Sequence, residues 1–337
     1  MVNRRPIVAA AAAQFRLITA PTSLGLRPPA PGVEPGTWRA PEVLLKAGLE
    51  GALGNPDVTA LSKPAYHEEG EDGTRIRNGR AIREYMFAIA EAVGDALCIG
   101  SFPVVIGGDC TVVLGALIAQ RRAGGKGLVH VDGHSDFFHP GNYDTTSRLG
   151  AAAGMDLALA TGRGEKLLTE WGDVDGPLVA EEDVIQVGER EAVLPDYAFH
   201  DMDGTRISRI MIEDILLAGV GDTADRVDAH LAERGLEKAW LHVDLDVLDM
   251  KFMPAVDCPG SPGLDFDQLA SLVSGLAESD RIIGADFTIY DPDRDPDGTY
   301  AGSIVDVIAR GLAPFARKAS SGTVRLRSEP PGGPASR

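Results

Sequence analysis

Cysteine is scarce: Cys98, Cys110 and Cys258 are the only three in 337 residues. So few thiols in so long a chain build no disulfide framework, and a reducing, cytoplasmic compartment is expected. No run approaches about 18 apolar residues, so no membrane-spanning helix is expected. Basic residues are outnumbered, 32 against 50 acidic, giving a formal net charge of −18. That balance argues against nucleic acid or an anionic membrane as a partner. No Gly-x-Gly-x-x-Gly follows the first strand signal and no phosphate-loop lysine motif occurs, which disfavours a nucleotide-binding protein. Internal repeats and coiled-coil heptads are also missing.

What is present is ordinary globular composition, 44% hydrophobic and 24% charged, with strand and helix signals in alternation. Residues 1–14 carry Arg4 and Arg5 before a short apolar run. The run ends without a cleavage site, so the segment reads as an N-terminal extension. Residues 318–337 are rich in Ser, Pro, Gly and Arg and read as a disordered tail. Residues 15–317 contain no linker-like stretch and read as one domain. Strands are expected at 16–20, 103–107, 127–132, 184–188, 239–244 and 281–287. Helices are expected at 41–47, 81–97, 111–121, 151–161, 224–233, 265–278 and 301–316. This alternation specifies parallel strands joined by crossover helices.

Three of the strands run into polar clusters: Gly107-Gly108-Asp109-Cys110, Asp132-Gly133-His134-Ser135-Asp136, and Asp244-Leu245-Asp246 with Asp249 beyond. Ligands of parallel α/β sheets bind outside the carboxyl ends of strands, where acids distant in sequence converge. Alternation puts Asp132, His134 and Asp136 on one face of an extended chain, and Asp244 and Asp246 likewise. Crowded carboxylates repel and resist desolvation, and divalent cations remove that penalty. Singly, an Asp-x-Asp at a strand end ordinarily caps a turn, and Gly-Gly-Asp is a tight turn. Their joint appearance at three strand ends makes metal binding the stronger reading.

These clusters, in this order, resemble those of the arginase/agmatinase/formimidoylglutamase (ureohydrolase) superfamily. Supporting segments are Gly36 to Leu49, Gly154-Met155 to Gly162, Met253-Pro254 to Gly263-Leu264, and Gly284-Ala285-Asp286 with Asp291-Pro292. The resemblance implies a three-layer α/β/α fold with a mainly parallel sheet, a binuclear metal centre and a homo-oligomer, trimer or hexamer. It implies one metal on Asp132, His134, Asp244 and Asp246, and another on Asp132, Asp136, Asp244 and the residue at 110. It further implies hydrolysis of a linear C–N bond in a guanidino or amidino small molecule by a metal-activated hydroxide that Asp136 orients.

Three positions depart from the family pattern. Cys110 stands where a histidine ligand is usual; a thiolate favours Zn, Ni or Fe over the Mn that the resemblance implies. A catalytic cysteine at this position would need a matched base, and none is evident. Ala153 stands where a histidine acid/base shuttle is found, and Ile289 where a substrate-binding glutamate is found. His139 is a candidate to replace the missing acid/base group, although a solvated loop histidine looks the same in sequence. His130 and His242 each precede a bridging aspartate by two residues and could orient it. Cys258 reads first as a buried small residue. A catalytically silent subunit that keeps the fold and part of the metal site is the second reading. A single-zinc amidohydrolase resembling the deacetylases is disfavoured by the paired bridging aspartates. Substrate choice is expected to reside in the loops at 139–149 and 190–204.

Overall fold

Apolar residues alternate along the central strands, and the two sets they form face opposite layers of helices. The computed structural model describes residues 15–190 and 200–320. Its strands are β1 (Phe15–Ala20), β2 (Asp57–Ala60), β3 (Phe102–Gly107), β4 (Gly127–Val131), β5 (Val184–Val187), β6 (Ser208–Ile210), β7 (Ala239–Asp244) and β8 (Ile282–Thr288). They form one sheet in the order β2-β1-β3-β8-β7-β4-β5-β6, and every pairing is parallel. The helices are α1 (Ala40–Lys46), α2 (Leu49–Ala52), α3 (Gly79–Cys98), α4 (Val112–Arg122), α5 (Asp156–Ala160), α6 (Lys166–Thr169), α7 (Ile212–Ala218), α8 (Val220–Glu233), α9 (Phe266–Ala277) and α10 (Thr299–Ser320).

Leu17, Val104, Val129, Leu241 and Val243 pack against Leu44 of α1, Val227 of α8, Leu272 of α9 and Ile308 of α10. On the other face Ile18, Val105, Leu128 and Trp240 pack against α3, α4 and α5. The result is the expected three-layer α/β/α arrangement, with the helices required by parallel connections covering both faces.

Two strands and three helices go beyond the sequence expectation. β2 is a mostly exposed edge strand, and β6 has three residues; neither carries the apolar run that marks a buried strand. The added helices are the one-turn α2 and α6, and α7. The helix expected at 151–161 is split, since Gly154 leaves helical geometry and separates a 3-10 turn at Ala152–Met155 from α5. Asp265, immediately before α9, starts it through a capping box with Gln268 three residues on. The last helix continues to Ser320, past the expected end at 316 and into the segment expected to be tail. The N-terminal extension, the rest of the tail and most of the loop at 190–204 lie outside the described residues.

The topology has one functional consequence. β3, β8, β7 and β4 are the four central neighbours, so the residues that leave their carboxyl ends are brought to one place.

Candidate metal centre

Asp132 follows β4, Asp244 ends β7, Cys110 follows β3 and Ile289 follows β8. Register fixes their level: His130 pairs His242, His242 pairs Asp286, and Asp244 pairs Thr288. Two residues on, the chain reaches the outer level where Asp132 and Asp244 meet. Ligand atoms of Asp132, His134 and Asp136 lie within 4.8 Å of one another, and so do those of Asp132, Asp244 and Asp246. Asp136 adopts φ +45° and Ile289 φ +73°. The first is tolerable for Asp, whereas a β-branched residue there is an outlier.

The cluster is built from short contacts. Asp132 Oδ1 accepts the His134 amide at 2.6 Å, and Asp244 Oδ1 accepts the Asp246 amide at 2.7 Å. His134 Nδ1 lies 2.8 Å from Asp246 Oδ2. The Cys110 thiol donates to Asp244 Oδ2 at 2.7 Å. Arg190 is buried behind Asp246, donating to its backbone carbonyl and to that of Pro262 at 3.2 Å. Only glycine fits on either side of this guanidinium. A Cβ at Gly133 would stand 2.0 Å from Arg190 Nη2, and one at Gly260 2.5 Å from Nε.

The electrostatics call for positive charge. Burial, reinforced by Asp136, Asp244, Asp246 and Asp156, pushes Asp132 well above the carboxylate range. Burial, then the charge of Asp246, pushes Asp244 up to about 8. Burial acts to raise Asp246 also, but His134 and Arg190 outweigh it and hold that acid low. The Cys110 thiol is pushed far up by burial and by the surrounding aspartates, so it stands as a neutral donor unless a cation takes its proton's place.

These residues fit divalent cations. Asp132 Oδ2 is buried with no hydrogen-bond partner, and mixed carboxylate and imidazole donors suit Mn, Fe, Ni or Zn. A cavity of about 410 Å³ opens above them, lined by Cys110, His134, Asp136, Asp244 and Asp246 and walled by Leu26, Phe138, Ala153, Gly154 and Ile289. Asp257, Cys258, Pro259, Gly260 and Arg190 complete it.

All six residues read from sequence as metal ligands therefore meet here. His139 does not line this cavity: it is half-buried, packs edge-on against Phe137, and its Nδ1 accepts the Gly141 amide at 3.1 Å. Cys258 corrects the expectation of a buried small residue, since it is exposed at the cavity; the Pro/Gly loop turns it outward. His130 and His242 stack with centroids 4.7 Å apart, and His130 Nε2 lies 3.9 Å from Asp132 Oδ2. Against the desolvation that lowers it, Asp286 raises His242 to about 9. Asp286 is fully buried and bonded to His242 and Trp240 at 2.5 Å each. Sequence reasoning passed over Asp156, Gln186 and Asp257. Asp156 did leave a signal: it is an acid inside the otherwise apolar Met155–Ala160 run, bound to be buried with a partner.

Parallel central strands deliver carboxylates and imidazole to one cavity floor, the arrangement that the ureohydrolase resemblance implies. The comparisons carry this to the family. The Arginase family model matches residues 14–312, so the chain belongs to the arginase family. The arginase of Bacillus caldovelox is 30% identical over 248 residues, covering 70% of this chain and 76% of that protein. Its crystal structure superposes with a TM-score of 0.75 at 25% identity, over 89% of this chain and 98% of that one. The agmatine ureohydrolase of Thermoplasma volcanium shares the fold, with a TM-score of 0.66 at 17% identity over 94% of each chain. No helix among the described residues is long and apolar enough to cross a membrane.

Proposed function

We propose that this chain is a metal-dependent hydrolase of a C–N bond in a small guanidino or amidino compound. The observation that carries the reading is the convergence of Asp132, His134, Asp136, Asp244 and Asp246 on the cavity floor. They would hold two divalent cations, with Cys110 at the remaining ligand position; Mn is favoured by family and Zn, Ni or Fe by the thiol. Bound there, such cations supply Lewis acidity and lower the pKa of an attacking water. Asp136 faces the cavity and would accept and hold that water's proton. His134, fixed by Asp246, and Asp246, backed by Arg190, hold the floor rigid. Leu26, Phe138, Ala153 and Ile289 shield the reacting group from solvent. The arginases and agmatine ureohydrolase matched above act on guanidino compounds, which supports this substrate class here. A homo-oligomer in a reducing, cytoplasmic compartment belongs to the same reading.

Ala153 and Ile289 favour a second reading, the silent subunit. Both line the cavity where the family resemblance led us to expect a histidine and a glutamate. The test is product release, as urea, formamide or amine, from a panel of guanidino and formimino compounds with metal-loaded protein. Turnover that disappears in Asp136→Asn supports the hydrolase. Metal binding at the floor without turnover of any compound supports the silent subunit.

A further inference from the structure

Beneath the outer centre the same sheet face carries a second polar layer. His130, His242 and Asp286 stand side by side in register on β4, β7 and β8. They lie two residues, or about 6.6 Å of parallel strand, inward of Asp132 and Asp244. Cys110, Asp156 and His242 each bring a ligand atom within 4.8 Å of the other two, and His130, Asp132 and His242 form a second such group. All are buried. Among the described residues, Asp132 Oδ2, Asp156 Oδ2 and His242 Nε2 find no hydrogen-bond partner. An unpaired buried polar atom is costly, so three of them together require a reason.

They do not satisfy one another. His242 Nε2 and Asp156 Oδ2 are 3.8 Å apart, beyond hydrogen-bond range. Bonds of about 2.0–2.3 Å to one tetrahedral ion place ligand atoms roughly 3.3–3.8 Å apart. The other atoms of these side chains are committed. His242 Nδ1 donates to Asp286 Oδ2 at 2.5 Å, and Asp286 Oδ1 accepts from Trp240. A carboxylate behind an imidazole in this way orients the second ring nitrogen for a metal. Asp156 Oδ1 is held by His130 Nε2 at 3.2 Å, and His130 Nδ1 by Gln186 at 2.5 Å. Asp156 Oδ2 and His242 Nε2 are left over beside the Cys110 sulfur, whose thiol donates to Asp244 Oδ2 at 2.7 Å and would give up that proton on binding an ion.

We infer that Cys110, Asp156 and His242, with Asp132 at the edge, form an inner ion site for a thiophilic divalent cation, zinc foremost. Sulfur, nitrogen and oxygen donors at one point select zinc over manganese or magnesium. Asp156 and His242 lie outside the cavity lining, so the ion would serve structure. It would tie β3, β7 and α5 together under the outer floor. The inner site shares Cys110 and Asp132 with the outer centre, so a thiol engaged here is withdrawn from the outer one; Asp156 and His242 belong to the inner site alone.

The test uses full-length protein stripped of metal, with Co2+ alone as the optical probe for zinc. A near-ultraviolet thiolate-to-cobalt band is expected, bleached by Zn2+ and kept in His134→Ala. The band is expected to vanish in Cys110→Ser and to need at least about 10–100-fold more cobalt in Asp156→Asn and in His242→Gln. Circular dichroism checks the fold of each variant, and either of the last two suffices if the other fails to fold. Wild-type protein that binds Mn2+ but shows no thiolate band overturns the inner site, leaving a proton-linked network there. A band unchanged in Asp156→Asn and His242→Gln also overturns it, because Cys110 then serves the outer centre. A thiolate band that weakens in Asp156→Asn and His242→Gln in protein that binds no Mn2+ supports the inner site and counts against manganese at the outer centre.

Discussion

The Cys110 thiol lies 2.7 Å from Asp244 Oδ2. A residue from the end of β3 and one from the end of β7 thus meet across β8, which lies between them in the sheet. The contact makes Asp244 the hinge of the site: it faces Cys110 on one side and the Asp246 amide on the other. Burial, and after it the charge of neighbouring aspartates, raises Asp132 and Asp244; for Asp244 it does so against these two hydrogen bonds, which act to lower it.

Metal-free protein should lose stability as pH rises. Asp244 sits at about 8 in the fold against about 3.9 in an unfolded chain. Folding therefore takes up a proton: the stabilisation is complete below about pH 4 and lost as pH climbs to about 8. Urea unfolding of stripped protein at about pH 6 and pH 8 should show lower stability at the higher pH. Asp244→Asn should flatten that slope, and added Mn2+ should abolish it. Equal slopes for wild type and Asp244→Asn would refute the assignment.

Gly133→Ala should destabilise by about 2–4 kcal/mol. Its Cβ would displace Arg190, a buried charge held by Asp246 and Pro262 carbonyls, and disturbing such a partnered charge is costly. Denaturant titration measures the loss. Gly204→Ala, where a Cβ meets nothing within 4 Å, is the control and should change little.

Ile289→Glu should create affinity for a cationic guanidino compound. A charge-assisted hydrogen bond contributes about 1.5–3 kcal/mol, so binding by calorimetry should tighten by about 10-fold or more. A neutral amide of the same shape should gain nothing. Equal gains for both would mean that this wall of the cavity does not meet the reacting group.

Much of this was legible in the chain. The six candidate ligand positions were readable because strand-end acids are local signals and the family resemblance named the full set; the parallel topology then delivers them together. Asp156 and Asp286 were less legible, because their partners His130 and His242 lie on other strands and only sheet register brings them together. β2 and β6 left no signal, being short edge strands without an apolar stripe. The Arg190 contacts with Asp246 and Pro262 depend on how the loop at 260–263 folds back, which no spacing rule encodes.

The most direct measurement is Mn2+ binding to stripped protein by equilibrium dialysis, for wild type beside Asp132→Asn and Asp244→Asn. The account predicts two Mn2+ per wild-type chain, as in other two-metal hydrolytic sites. It predicts a loss in each variant exceeding the roughly 10–100-fold weakening seen when only a group behind a ligand is removed. Wild-type protein that binds no Mn2+, or variants that bind it as wild type does, would contradict the claim that these aspartates form a metal centre.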